Sequence, residues 1–163
     1  MKNIFRVLLP VLLLTSCTNY IYVVRHAEKA VSPASNPPLT VAGQERAIAL
    51  ANLLKDKKIA AIYSTNTTRT LKTATPLSDS IKKTIQLYAP DTTGLFVSQL
   101  KKLKANILVV GHSNTVLELL DSFHLSHNLR SIPDNGFNNL FIIKSTRFLK
   151  TKISLTETTY GAP

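Results

Sequence analysis

The stretch Ile21-Tyr22-Val23-Val24-Arg25-His26-Ala27-Glu28 places an arginine and a histidine directly after a continuous apolar run. Such a run is typical of a strand that is buried on both faces of a parallel sheet. The pattern recurs where Ile107-Leu108-Val109-Val110 leads into Gly111-His112-Ser113-Asn114. Because ligands bind beyond the carboxyl ends of parallel strands, we expect the two histidines to meet at one edge of a sheet.

The rest of the sequence alternates strand-like and helix-like segments, which favours an α/β fold. We predict a three-layer sandwich, in which a mainly parallel central sheet is flanked by helices. The predicted strands cover residues 20–24, 59–63, 84–87 and 106–110, and a closing hairpin or edge strands cover 137–144 and 148–155. The predicted helices follow Thr40 and cover 67–82, 95–103 and 116–123.

Two of the helices carry specific expectations. Thr40 can cap the first, whose buried stripe should be formed by Ala47, Ile48, Ala51 and Leu54 at helical spacing. In the second, Pro76 should bend or break the helix, because proline cannot donate the backbone hydrogen bond.

The amino-terminal residues are typical of an export signal. Lys2 and Arg6 precede the apolar residues 7–14, and this run is too short to cross a bilayer as a mature helix. The following Leu14-Thr15-Ser16-Cys17 resembles the lipobox of bacterial lipoproteins. That resemblance implies a signal peptide at 1–16, a lipid on Cys17, a linker at 17–19, a domain at 20–163 and a location on a membrane of the bacterial cell envelope. An ordinary signal peptide or a cytosolic apolar segment are the alternatives.

The composition favours anionic partners. The chain has 20 basic and 9 acidic residues, so removing Lys2 and Arg6 leaves 18 against 9, or about +9. Such an excess suits phosphorylated substrates or acidic lipid headgroups. We expect no nucleic-acid partner, because no dense basic run with interleaved aromatic residues is present. Cys17 is the single cysteine, so the domain must be stable without a disulfide.

A third strand end adds to the polar cluster. Ser64 follows the predicted strand at 59–63, and Arg69 lies five residues on, near the start of a helix. Helix amino termini present free N–H groups and suit a phosphate. With Arg25, His26 and His112, these residues predict an anion pocket that contains a candidate nucleophile.

Four motifs follow one another along the chain, namely Arg25-His26-Ala27-Glu28-Lys29, Leu39-Thr40-x-x-Gly43, Ser64-Thr65-x-x-x-Arg69-x-x-x-Thr73-Ala74 and Gly111-His112-Ser113-Asn114-Thr115. In their order and spacing they resemble the histidine phosphatase superfamily, which is phosphoglycerate-mutase-like, and within it a small branch that resembles phosphohistidine phosphatases. The resemblance covers residues 20 to about 120.

The resemblance implies that His26 attacks phosphorus and becomes phosphorylated. Arg25, Arg69 and His112 would hold the phosphoryl oxygens, and water would then release phosphate, with no metal or cofactor. The expected substrates are phosphomonoesters or phosphohistidine, small or carried on a protein. Further phosphate or substrate contacts are expected from Ser64, Glu28, Ser113 and Asn114.

The proton donor to the leaving group is less evident. Many relatives carry an acidic residue between the second arginine and the second histidine, and here that stretch holds only Asp79 and Asp91. Tyr88-Ala89-Pro90-Asp91 resembles a Tyr-Asp-Pro of relatives, with Ala89 at the acidic position. Asp91 can substitute, His112 can donate, or a good leaving group can depart without an acid.

Two other functions are compatible with this sequence, and one further pair of histidines needs an interpretation. Gly111-His112-Ser113-Asn114-Thr115 nearly matches the nucleophile elbow of serine hydrolases, with Ser113 as nucleophile, but its fifth residue is not glycine. A chain that lacks the acid could also bind a phosphorylated ligand without turnover. His124 and His127 have no visible third ligand, so we expect no metal there.

Overall fold

The computed structural model describes residues 17–147 and 150–162, so the predicted signal peptide at 1–16 lies outside the described residues. The strands are Cys17–Arg25 (β1), Ile59–Ser64 (β2), Ile85–Leu87 (β3), Asn106–Gly111 (β4), Asn139–Arg147 (β5) and Thr151–Thr159 (β6). The helices are Val41–Leu54 (α1), Thr68–Ile81 (α2), Thr93–Lys102 (α3) and Ser113–Ser122 (α4). The predicted three-layer α/β fold is confirmed.

The sheet has the strand order β3-β2-β4-β1-β5-β6. The first four of these strands are parallel, and β5 and β6 are added antiparallel as the predicted hairpin. Arg25 on β1 is in register with Gly111 on β4. His26 and His112 therefore follow paired residues of adjacent parallel strands, and this register is what brings the two imidazoles together.

Helices cover both faces of the sheet. Because successive side chains of a strand point to opposite faces, the helices on each face cover every second apolar residue of β1 and β4. One core contains Val23 and Val109 with side chains of α3 and α4. The other contains Val24 and Val110 with side chains of α1 and α2. Burial on both faces explains why these two strands are apolar throughout.

Helix α1 differs from the prediction on one side chain. Thr40 caps it, and its hydroxyl accepts a hydrogen bond from the Gly43 N–H at 3.1 Å. Ile48, however, is 53% exposed, and Leu50 is fully buried instead. The expected stripe was wrong at Ile48 because the buried face has the i, i+3, i+4, i+7 spacing of Ala47, Leu50, Ala51 and Leu54.

Helix α2 continues through Pro76 to Ile81, so the proline does not break it. Thr73, Ala74 and Leu77 are buried on either side of the proline. Burying these side chains against the sheet stabilises the helix by more free energy than the helix loses through the one backbone hydrogen bond that proline removes.

Strand β1 begins at Cys17, three residues before the predicted start, because residues 17–19 pair with the end of β5. The described part of the chain contains no helix that is long and apolar enough to cross a membrane.

Candidate active site

His26 is held at the carboxyl end of β1 by backbone contacts on both sides. Its N–H donates to the Gly111 carbonyl at 2.9 Å, and the next N–H, of Ala27, donates to the Thr73 hydroxyl at 2.9 Å. The ring nitrogen Nδ1 lies 2.8 Å from the Ala27 carbonyl oxygen. Since a carbonyl can only accept, Nδ1 carries the proton in the neutral ring, and Nε2 keeps its lone pair.

His112 stands beside His26 at the start of α4. The two ring centroids are 5.4 Å apart, with an angle of 69° between the planes. The His112 N–H donates to the Thr115 hydroxyl at 2.7 Å, which fixes the first turn of α4. Nε2 of His112 is buried and has no hydrogen-bond partner among the described residues.

Two guanidiniums complete the cluster. Arg25 is 4% exposed, and Arg69 is half-buried at the second residue of α2. Within the described chain, Nε of each guanidinium is buried without a partner, as is Nε2 of His112. A buried donor without an acceptor is costly, so the two guanidinium Nε–H groups, together with the unpartnered Nε2 of His112, make a site for an anion with several acceptor oxygens.

The loop before β5 also belongs to the site, and the sequence analysis missed it. Arg25 Nη1 donates to the carbonyls of Pro133 at 2.6 Å and Gly136 at 3.3 Å. The Phe137 ring lies 4.6 Å from the Arg25 guanidinium carbon and 5.9 Å from the His26 ring centroid. The loop thus orients Arg25, and an apolar residue next to Gly136 was its only signal in the sequence.

Both imidazoles are hard to protonate. Burial, opposed by the Ala27 hydrogen bond and reinforced by Arg25, Arg69 and His112, lowers the pKa of His26 to about 4. Burial and the same two guanidiniums lower the pKa of His112 to about 4. His26 is therefore neutral at pH 7, as a nucleophile must be, and burial contributes more to this than the expected effect of Arg25.

These pKa values predict how stability depends on pH. A histidine has a pKa near 6.5 when the chain is unfolded, so between about pH 6.5 and 4 the unfolded state binds more protons than the folded state. Stability should fall as the pH drops through this window and level off below it. Urea unfolding midpoints measured from pH 7 to 4 test this slope.

The control is the double variant His26→Ala/His112→Ala, in which that slope should become shallower. Proton NMR titration of the ligand-free chain should give midpoints near 4 for both rings. Midpoints near 6.5 for both would contradict the assignment.

Glu28 forms an ion pair with Arg46. Its carboxylate receives hydrogen bonds from Arg46 Nη2 at 2.6 Å and Arg46 Nε at 2.8 Å. Burial is the largest single influence on the pKa of Glu28 and opposes ionisation, but the hydrogen bonds and charge of Arg46, with the backbone N–H and His26, together outweigh it and lower the pKa. The contact of Glu28 with substrate stays a prediction.

Arg46 joins the His26 loop to the last described residues. Its Nη1 donates to the carbonyls of Tyr160 at 2.9 Å and Ala162 at 2.8 Å, besides the pair with Glu28. Arg46 is 7% exposed and Glu28 20% exposed, so the pair is only slightly screened by water. No feature of the sequence identified Arg46 in advance.

Replacing Arg46 with methionine should therefore destabilise the fold by about 2–4 kcal/mol, since it leaves a buried carboxylate and two carbonyls without partners. The double variant Arg46→Met/Glu28→Gln should recover part of the loss. Urea unfolding of the four members of this cycle measures the coupling. Equal losses in the single and double variants would show that the ion pair contributes little.

The remaining predicted site residues are spread around the cluster. Ser64 is fully buried, and its hydroxyl donates to the Thr65 carbonyl at 2.9 Å, which suits a structural role. Ser113 is half-buried and Asn114 exposed in the first turn of α4. Asp91 is exposed in a 3-10 turn at Pro90–Thr92.

A cleft of about 490 Å³ opens beside His112, between residues 65–67 and 87–90. Ala89 and Pro90 line it, whereas Asp91 does not. Across residues 17–147 and 150–162, no three potential metal ligands lie together. The chemistry available here is that of imidazole and guanidinium groups.

The comparisons with known proteins agree with this geometry. Residues 21–89 match the model of the "Histidine phosphatase superfamily (branch 1)". None of the curated proteins matches the chain in sequence.

Several solved structures share the fold at low identity. The protein histidine phosphatase SixA, complexed with tungstate, has a TM-score of 0.65 and 20% identity over 86% of this chain and 96% of its own. A putative phosphohistidine phosphatase SixA from Nakamurella multipartitia has a TM-score of 0.64 and 16% identity over 89% and 98%.

The mycobacterial glucosyl-3-phosphoglycerate phosphatase has a TM-score of 0.64 and 12% identity over 90% of this chain and all of its own. These likenesses establish the fold. The match at residues 21–89 includes Arg25, His26 and Arg69, so these three side chains lie in the part of the chain that is similar to the histidine phosphatase superfamily.

Proposed function

We propose that this protein is a phosphatase that hydrolyses phosphomonoesters or phosphohistidine through a phosphorylated His26. The observation that carries the proposal is the pair of facing imidazoles, 5.4 Å apart, with two guanidiniums whose Nε groups lack partners in the described chain. Phosphoryl transfer requires positioning and neutralisation of charge, and this cluster supplies both.

The reaction has two steps. The lone pair on Nε2 of His26 attacks phosphorus, and the bond to the leaving group breaks with its electron pair. Water then attacks the phosphorus of the phosphorylated His26, and the P–N bond breaks with its electron pair returning to Nε2. The water protons leave with inorganic phosphate or pass to solvent, and the ring is neutral again. Arg25, Arg69 and His112 hold the equatorial oxygens in both steps. The Ala27 carbonyl keeps the proton on Nδ1, so that Nε2 faces the substrate.

The phosphorylated intermediate gives the direct test of the function. The chain is mixed with a labelled aryl phosphate and quenched in alkali within milliseconds. The label should be found on His26 and should be lost in acid. Turnover without an adduct would contradict the mechanism. Phosphate binding with neither turnover nor adduct would favour the non-catalytic binding protein, and loss of activity in Ser113→Ala would favour the serine hydrolase.

The leaving group should be weakly basic, because Ala89 occupies the cleft wall where relatives carry an acid and Asp91 lies outside it. Activity should therefore be far higher on nitrophenyl phosphate than on an alkyl phosphate. Ala89→Glu should raise kcat on the alkyl phosphate by about 10²-fold, the lower end of general-acid effects. Ala89→Gln is the control and should change little; equal gains in both variants would exclude proton donation.

The geometry of the site alone does not select one class of substrate, so the proposed classes come from the solved structures that share the fold. The structures named above act on a protein phosphohistidine and on a sugar phosphoglycerate, and the short loops of this chain suit either kind of phosphate. A panel of phosphohistidine peptides, sugar phosphates and nucleotides, ranked by kcat/KM, tests the choice.

We also propose that Cys17 carries a lipid that anchors the protein to a membrane of the cell envelope. Cys17 is exposed at the amino end of β1. With about 3.3 Å per residue, nine strand residues separate it from the site by roughly 30 Å, so the site would face away from the lipid. Incorporation of labelled palmitate that is lost in Cys17→Ser tests this.

A further inference from the structure

Most of the positive charge of the fold lies at one end, opposite the candidate active site. The helices run antiparallel to the parallel strands, so the turns that follow α1, α2 and α3 all lie at the amino ends of the strands, together with the β5–β6 turn. These four turns and the ends of the helices and strands that flank them contain eleven basic residues, namely Lys55, Lys57, Lys58, Lys82, Lys83, Lys101, Lys102, Lys104, Arg147, Lys150 and Lys152. We call them the basic face.

The side chains of the basic face are available to a partner. All of these lysines are exposed except Lys101, which is half-buried. In the three helix-to-strand turns, Asp56 is the one acidic residue. The guanidinium of Arg147 donates to the Lys101 carbonyl, which ties two neighbouring turns together. Six strands spaced about 4.8 Å apart make this face roughly 24 Å wide.

The amino terminus of the described chain lies at the same end. Cys17 pairs with Arg147, so it stands within the basic face. A broad cationic surface of this kind matches an anionic bilayer, whose headgroups carry negative charge.

We propose that the basic face docks on an anionic lipid bilayer and turns the candidate active site toward the aqueous side. The face acts by electrostatic attraction to lipid headgroups and needs no particular headgroup. Nucleic acid is the competing polyanion. The basic residues come from four separate turns spread over a width of roughly 24 Å, and this spread favours the extended array of headgroups of a bilayer.

Binding to vesicles tests the proposal. The full chain, made without acylation, is mixed with phosphatidylcholine vesicles that contain or lack 30% phosphatidylglycerol. Lys57→Glu/Lys83→Glu should weaken binding to the anionic vesicles by roughly 30-fold. Lys29→Glu/Lys72→Glu is the control; it changes the net charge equally, at exposed positions outside the face, and should weaken binding less than threefold. Equal losses in both variants, or equal binding to neutral vesicles, would overturn the proposal.

Orientation is tested separately. Cys17 is the single cysteine, so a thiol-reactive fluorophore marks the basic face. Quencher-labelled headgroups should quench it strongly. The same fluorophore in Cys17→Ser/Ser35→Cys lies in the exposed loop after β1 and should be quenched little. The reverse pattern, or tighter binding to a DNA duplex than to anionic vesicles at equal salt, would overturn the proposal.

Discussion

Replacing His26 with alanine should lower kcat on an aryl phosphate by a factor on the order of 10⁴ or more, because no other side chain can take the phosphoryl group at that place. His26 lies between the Gly111 carbonyl and the Thr73 hydroxyl through backbone groups that alanine retains. The fold should therefore survive the change. Steady-state kinetics with circular dichroism as a check on folding measure both effects.

The matched control is Ser113→Ala, which should keep most of the activity, since Ser113 is not assigned to any step of the transfer. Residual activity of His26→Ala above one part in a hundred would contradict nucleophilic attack by this ring. An adduct trapped on His112 in that variant would assign the phosphoryl transfer to the other imidazole.

Replacing Arg69 with alanine should lower kcat by about 10³-fold, in the range seen when a guanidinium that stabilises a transferred phosphoryl group is lost. The same change should leave stability unchanged or raise it slightly. Arg69 Nε has no partner among the described residues, and its charge opposes that of Arg25 in a shared site. A loss of activity with a gain of stability is the signature of a residue kept for function.

Two measurements separate this role from a structural one. Arg69 lowers the pKa of both His26 and His112, so Arg69→Ala should raise the NMR titration midpoints of both rings. Arg69→Lys keeps the charge but loses the planar fork, and should recover a part of the activity and most of the pKa effect. Unchanged midpoints would place Arg69 outside the site.

The proximity of His26 and His112 was predictable because both follow apolar runs on strands that pair in register. The apolar composition of a buried parallel strand identifies it in the sequence. Residues that follow its carboxyl end lie where ligands bind in such sheets. Thr40 was predictable for a similar reason, since its hydroxyl serves a purely local cap.

Arg46 and the loop from Pro133 to Phe137 were not predictable in this way. Each contacts the His26 region across more than a dozen residues of sequence, and a lone arginine or a short loop has no pattern that specifies its partner. Tertiary packing decided these cases. Ile48 is different, because the buried residues Ala47, Leu50, Ala51 and Leu54 have the i, i+3, i+4, i+7 spacing of one helix face, and Ile48 lies outside that spacing.

Arg46 also has a practical consequence for anyone who handles the protein. Arg46 donates hydrogen bonds to the carbonyls of Tyr160 and Ala162, and it also forms an ion pair with Glu28, which lies two residues from the candidate nucleophile. An affinity tag or reporter fused after Ala162 should disturb these hydrogen bonds and, through the pair with Glu28, the loop that follows His26. Inserting the tag within the exposed residues 31–36 should leave the hydrogen bonds of Arg46 intact.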